Sequence, residues 1–160
     1  MPVSTRCRAA TAADLPAILG LYAQPALDGG RVLSVAEARA IFERMARYPD
    51  YHVYVAEREG EVVGTFALLV MDNLAHRGAR SGVVEDVAVD PACQRAGVGR
   101  AMMRHALAQC REKGCYKMTL SSALRRRGAH AFYDALGFER HGYSFRADLP
   151  APPRDAGTHP

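Results

Sequence analysis

The sequence predicts an α+β chain: one mixed, mostly antiparallel sheet flanked by helices, in the order β-α-α-β-β-β-α-β-α-β. Three observations carry this expectation. Apolar residues recur with a helical period in some stretches and with a period of two in others. Three strand-like runs follow one another between Tyr51 and Asp90 with no helical stretch between them, so they pair antiparallel. From Asp90 to Cys115 the chain is long enough to hold a helix and return in parallel. At 160 residues one domain accounts for the chain. It is expected over 1–149, with the Pro-rich 150–160 as a flexible tail.

Each element has a local reason. "RCRAAT" (Arg6–Thr11) reads as a first strand, and Thr11 caps a helix with Leu15, Ile18, Leu19 and Tyr22 on one face. The stretch from Pro25 to Gly30 breaks it. Ser34 and Glu37 make a capping box for a second helix, which carries Ala38, Ile41, Phe42 and Met45 and stops near Pro49. "YHVYVAE" (Tyr51–Glu57) and "VVGTFALLVM" (Val62–Met71) flank the tight turn "REGE" as a hairpin. After a polar loop, "SGVVEDVAVD" (Ser81–Asp90) is the third strand of the run. A helix beginning near Gly97 or Val98 has Met103, Ala106, Leu107 and Cys110 on one face and ends at Gly114. "CYKMTLSS" (Cys115–Ser122) is a strand and "AHAFYDALGF" (Ala129–Phe138) a short helix. The alternating "RHGYSFRADL" (Arg140–Leu149) is expected as the last strand.

Composition narrows the function. Apolar residues at 49 % and charged residues at 24 % suit a soluble globular chain. No apolar run approaches the roughly 18 residues of a membrane span, and "MPVSTRCRAATAADL" lacks a signal-peptide core, so the expected address is the cytoplasm. The Arg clusters have no aromatic interleaving or base-reading motif, which argues against a nucleic-acid partner. Cys7, Cys93, Cys110 and Cys115 match no zinc or redox spacing, so no metal is expected and the thiols read as packing residues. Cys93 stands apart because it lies inside a glycine-rich loop.

That loop, "DPACQRAGVGRAMM" (Asp90–Met103), joins a strand to a helix. Glycine allows close approach of a ligand to the backbone, and a helix N-terminus offers unpaired N–H groups to an anion. Arg95 and Arg100 add counter-charge. The pattern is neither a Rossmann fingerprint nor a P-loop. Taken alone, it is equally a helix start softened by glycine.

The context goes further. Gln94, Gly97 and Gly99 after a strand match Q/R-x-x-G-x-G/A. Ala129, Phe132, Tyr133, Gly137 and Phe138 match A-x-x-F-Y-x-x-x-G-F. Over roughly Arg6 to Leu149 the chain resembles the GNAT superfamily of acyl-CoA-dependent N-acyltransferases. The resemblance implies the GNAT fold and acetyl-CoA as co-substrate. Its pyrophosphate would lie on the loop formed by Gln94, Arg95, Ala96, Gly97, Val98, Gly99 and Arg100. Its pantetheine would lie along Val87, Ala88 and Val89. The resemblance also brings a homodimer through the C-terminal strands.

Acyl transfer to nitrogen needs a neutral amine, a donor for the developing oxyanion and a proton for the departing thiolate. Glu85 is the expected base or water-holder, with Asp86 as runner-up; on successive strand positions the two should point to opposite faces. Either could instead be a solvated edge acid. The resemblance makes Tyr133 the general acid; on residue type and spacing alone, a core aromatic beside Phe132 and Leu136 is the commoner fate. Arg126 stands where many members carry an Asn that contacts the donor.

For the acceptor, the strand–loop region is similar to glucosamine 6-phosphate acetyltransferases and the C-terminal part to aminoalkylphosphonate acetyltransferases. Both imply a small primary amine that bears a phosphorus oxyanion, for which Arg77, Arg80, Arg125, Arg126 and Arg127 are candidates. His130 and His141 could serve the anion or a metal, or be structural. The other readings are a protein or peptide N-acetyltransferase, a non-catalytic CoA-binding module and a nucleic-acid-binding protein.

Overall fold

The computed structural model describes residues 3–150. Its elements are β1 (Arg6–Ala9), α1 (Leu15–Tyr22), α2 (Val35–Met45), β2 (Tyr51–Arg58), β3 (Glu61–Met71), β4 (Arg80–Val89), α3 (Val98–Glu112), β5 (Cys115–Leu120) and α4 (Arg127–Ala135). Five strands form one sheet in the order β1-β2-β3-β4-β5. The first three pairings are antiparallel and β4–β5 is parallel, the mixed sheet that the sequence predicts. The chain divides into two compact units, the first ending at Ser122 and the second starting at Ala123.

Local chemistry sets the element ends. Ser34 Oγ accepts the Glu37 N–H at 3.2 Å, and the Glu37 carboxylate accepts the Ser34 N–H at 2.8 Å. This reciprocal cap starts α2. Glu59 and Gly60, both with positive φ, make the two-residue turn of the β2–β3 hairpin. Thr11 caps a single 3-10 turn, Ala12–Asp14, rather than α1 itself. Its N–H donates to the Asp14 carboxylate at 2.7 Å. Arg8 binds Asp14 at 2.8 Å and Glu57 at 2.6 Å, which fastens β1 to that turn and to β2. Hydrogen bonding to Arg8 holds the Asp14 carboxyl down at about 2.

The core lies between the sheet and α3. Phe66 stacks on Tyr54 at 5.1 Å, and both rings meet the edge of His105. α3 buries Val98, Met102, Met103, Ala106 and Cys110, while Leu107, expected in the core, is only partly covered. Gly64 and Gly82 make room for this helix. A Cβ on Gly64 would come within 2.6 Å of Met102 Sδ, and one on Gly82 would meet Cys110 Sγ. Even-numbered β3 residues therefore face α3, and Thr65 and Ala67 face the α1–α2 side. α1 buries Leu15, Ile18 and Leu21. Tyr22 is only partly buried, because its hydroxyl reaches across to β4.

In the second unit, α4 ends at Gly137, whose φ is +85°. Tyr133 packs edge-to-face with Phe132 at 5.1 Å and with Phe138 at 5.6 Å. The strand expected over Arg140–Leu149 does not form. Alternating sequence makes a strand only against a neighbour that takes its hydrogen bonds. Here Tyr143, Phe145 and Leu149 are 91 %, 93 % and 85 % exposed. The tail expected to be flexible lies, from residue 151 onward, outside the described residues.

Candidate active site

β3 and β4 fall out of step at one point. Thr65 pairs with Ala88 and Ala67 with Glu85, so Asp86 and Val87 together oppose Phe66. Asp86 takes a left-handed conformation, φ +54°, which is uncommon for a residue with a side chain. The result is a β-bulge. It overturns the expectation that Glu85 and Asp86 point to opposite faces, since strict alternation needs extended backbone at both positions. Glu85 shares the α1–α2 side with its partner Ala67. Burial, then the charges of Asp86 and Glu85, push the Tyr51 phenol up, so both carboxylates act on one side chain. Partial burial, and secondly the charge of Asp28, hold the Asp86 carboxyl above the usual carboxylate range.

Just before the bulge, β4 loses its other neighbour among the described residues. Parallel pairing with β5 runs from Arg80–Cys115 to Val84–Leu120 and stops, although β4 continues to Val89. The Asp90 N–H donates to the Val63 carbonyl at 2.8 Å. Amides alternate along a strand, so Ala88 also faces β3, while Val87 and Val89 turn their N–H and C=O groups to the open edge. Such an edge accepts an extended ligand through main-chain hydrogen bonds. Of the three residues expected to line the donor, Val87 turns its main-chain groups to the edge, Val89 turns its N–H there beside a carbonyl that Gln24 engages, and Ala88 is engaged by Thr65.

Two side chains that no sequence pattern flags buttress this segment, Tyr22 at the end of α1 and Gln24 just after it. The Tyr22 hydroxyl donates to the Asp86 carbonyl at 3.2 Å. Gln24 Nε2 donates to the Val89 carbonyl at 3.0 Å and to the Leu21 carbonyl at 2.9 Å. The contacts span 64 and 65 positions, beyond the reach of any periodicity.

The glycine loop follows at once. Asp90 Oδ1 accepts the Ala92 N–H at 2.9 Å and tightens the turn Pro91–Cys93. Arg95 and Gly97 are both left-handed, at φ +64° and +82°. The Ala96 N–H is already engaged by the Cys93 carbonyl at 3.2 Å. The first α3 main-chain bond runs from the Ala101 N–H to the Gly97 carbonyl at 3.0 Å, so the amides of Val98, Gly99 and Arg100 open toward the loop. A Cβ on Gly97 would meet nothing within 4 Å; its φ demands glycine and the space above it is free. Val98 is buried and offers only its amide, while Gln94, Arg95 and Arg100 are exposed. Open amides at a helix N-terminus with two cations beside them fit a pyrophosphate in donor chemistry and charge.

The remaining candidates separate. On α4, burial raises the Tyr133 phenol, so it is protonated at neutral pH; Arg126 acts in the opposite direction. Arg125, Arg126 and Arg127 are exposed. Arg80 is held by Asp72 at 3.1 Å and Asp50 at 3.5 Å and is no free anion receptor. His130 Nε2 meets the Ala123 carbonyl at 2.9 Å, a structural contact, and His141 is exposed. Burial pushes the thiols of Cys7 and Cys110 up to about 11 and about 12. Among the described residues, no group of three His, Cys, Asp or Glu is placed to hold a metal, and no helix is long and apolar enough to cross a membrane. An open groove that the sequence did not flag is lined by Ile41, Arg44, Met45, Arg47, Tyr48 and Tyr51. Tyr51 connects it electrostatically to Glu85 and Asp86.

Residues 17–138 match the acetyltransferase (GNAT) family. The chain is 31 % identical over 125 residues to the glucosamine 6-phosphate N-acetyltransferase of Trypanosoma brucei brucei, covering 78 % of this chain and 80 % of the relative. It is 30 % identical over 101 residues to the aminoalkylphosphonate N-acetyltransferase of Salmonella typhimurium, covering 63 % and 65 %. The crystal structure of a Trypanosoma brucei acetyltransferase superposes with a TM-score of 0.78 at 30 % identity, covering 91 % of this chain and all of the other. With the bulged strand, the open edge and the glycine loop in sequence, the chain belongs to the GNAT family and is an N-acetyltransferase.

Proposed function

We propose that this chain transfers the acetyl group of acetyl-CoA to the primary amine of a small, phosphorylated or phosphonate-bearing metabolite, by direct attack of the amine on the thioester. The observation that carries the reading is the open edge of β4 running directly into a loop with free amides. The amides of Val98, Gly99 and Arg100, with Arg95, Gln94 and Gly97, hold the pyrophosphate. Val87 and Val89 hold the pantetheine as an added strand would be held.

The chain's own residues supply the rest. Glu85, on the exposed α1–α2 side of the bulge, takes the amine proton directly or through a water it holds. A second reading gives this role to Asp86, favoured by the partial burial that raises its carboxyl. The Val87 N–H donates to the carbonyl oxygen as negative charge grows on it. The carbon–nitrogen bond forms, the carbon–sulfur bond breaks, and the departing sulfur takes a proton, assigned to Tyr133 on its place in the family motif. Tyr48 and Tyr51 offer the acceptor an aromatic wall, and Arg44 and Arg47 offer its oxyanion a counter-charge in the groove. The protein works in the cytoplasm as a homodimer joined through its C-terminal segment.

Thiol release from acetyl-CoA over phosphorylated amino sugars, aminophosphonates, polyamines and peptides tests the reading. Turnover confined to amines that carry a phosphorus oxyanion supports it. Turnover on peptides alone assigns a protein acceptor, and binding without turnover on any amine assigns a CoA-binding module.

A further inference from the structure

Tyr22 and Val87 are joined through one peptide unit. In a trans peptide the carbonyl and the N–H point in opposite directions. The Asp86 carbonyl accepts the Tyr22 hydroxyl at 3.2 Å. Main-chain alternation counted back from the Asp90 N–H on Val63 turns the Val87 N–H, on the other end of the same unit, toward the edge where β5 has stopped. We infer that Tyr22 is a positioning residue: its hydroxyl fixes the plane of the Asp86–Val87 peptide and polarises it, so that the Val87 N–H is aimed at the oxygen that gains charge during acetyl transfer. This rests on the acetyl-CoA reading above.

The surroundings leave Tyr22 a task that no ladder bond performs. The bulge lies opposite Phe66, between the Thr65–Ala88 and Ala67–Glu85 pairs. Those two pairs engage β4, so Phe66 turns its main-chain groups toward β2. The Asp86 carbonyl therefore has no partner on β3, and its left-handed φ is a conformation that neighbours must sustain. Burial and the charge of Asp86 push the Tyr22 phenol up, which keeps it a donor. Thr65 also reaches this phenol, but its own proton goes to the Tyr54 carbonyl at 2.9 Å. A donor on a carbonyl strengthens the N–H of the same amide as a donor. Gln24 on Val89 secures the other end of the segment, so the end of α1 holds both ends of the open edge.

The test is Tyr22→Phe, which keeps the ring and removes the hydroxyl. The expected result is a roughly tenfold fall in kcat with the acetyl-CoA Kd and the Tm unchanged, and an upfield move of the Val87 amide proton in the 1H–15N spectrum. An unchanged kcat overturns the inference. So does a fall in kcat matched by equal loss of affinity or Tm, which marks a packing role, and so does a Val87 amide that stays in place. These outcomes leave the acetyl-CoA reading intact. A wild type that neither binds acetyl-CoA nor releases thiol from it overturns that reading, and this inference with it.

Discussion

Asp28 lies within electrostatic reach of Asp86, and its charge adds to partial burial in holding the Asp86 carboxyl above the usual range. This relationship separates the two candidate bases. A base works only when deprotonated, so its pKa sets the acidic limb of kcat/KM. With Glu85 as base, Glu85→Gln lowers kcat/KM by about 10²-fold or more, and Asp28→Asn leaves the limb where it was. With Asp86 as base, Asp28→Asn removes a neighbouring negative charge and moves the limb to lower pH, while Glu85→Gln retains activity. Rate profiles of the two variants from pH 5 to 9 distinguish them.

Gly97 tests the cradle. Aspartate there places a side chain and a negative charge in the space above a left-handed backbone position. Gly97→Asp should abolish acetyl-CoA binding in a calorimetric titration. Binding at wild-type affinity would show that the pyrophosphate lies elsewhere.

Tyr133→Phe keeps the edge-to-face contacts with Phe132 and Phe138 and removes the proton donor. Turnover should fall about 10²-fold or more while acetyl-CoA affinity holds. Equal loss of both would reduce Tyr133 to an aromatic of its helix.

Asp14 sets part of the acid stability. Its folded-state pKa, about 2, lies below the ordinary aspartate value of about 4. The stabilisation is therefore complete above pH 4 and is lost as pH falls through about 2. Asp14→Asn should cost about 2 kcal/mol at neutral pH and flatten the decline of Tm between about pH 4 and 2. An undiminished decline in the variant would place the acid-labile contact elsewhere.

Much of the fold was legible because local chemistry and tertiary structure agree. The Ser34–Glu37 cap, the hairpin turn at Glu59–Gly60 and the stop at Gly114 are each set by a few neighbouring residues. Periodicity missed the 3-10 turn between Thr11 and α1, and it put Leu107 of α3 on the core face, where that residue is only partly covered. It also implied a strand over Arg140–Leu149, since alternation records a capacity to pair and not the presence of a partner. At the site, the glycines and the Tyr133 motif were readable. The left-handed Asp86 was not, because "VEDVAV" alternates like any strand. Tyr22 read as one more apolar-face residue of α1 and Gln24 carried no signal, because their partners lie 64 and 65 positions away.

The central claim is that acetyl-CoA binds the native fold along β4 and the glycine loop. Thermal melting with acetyl-CoA at about 100 times its Kd measures this directly. Selective binding to the native state contributes about 2.7 kcal/mol, so the Tm should rise by about 5–10 °C, and Gly97→Asp should show no rise. A wild-type Tm that acetyl-CoA leaves unmoved would contradict the account.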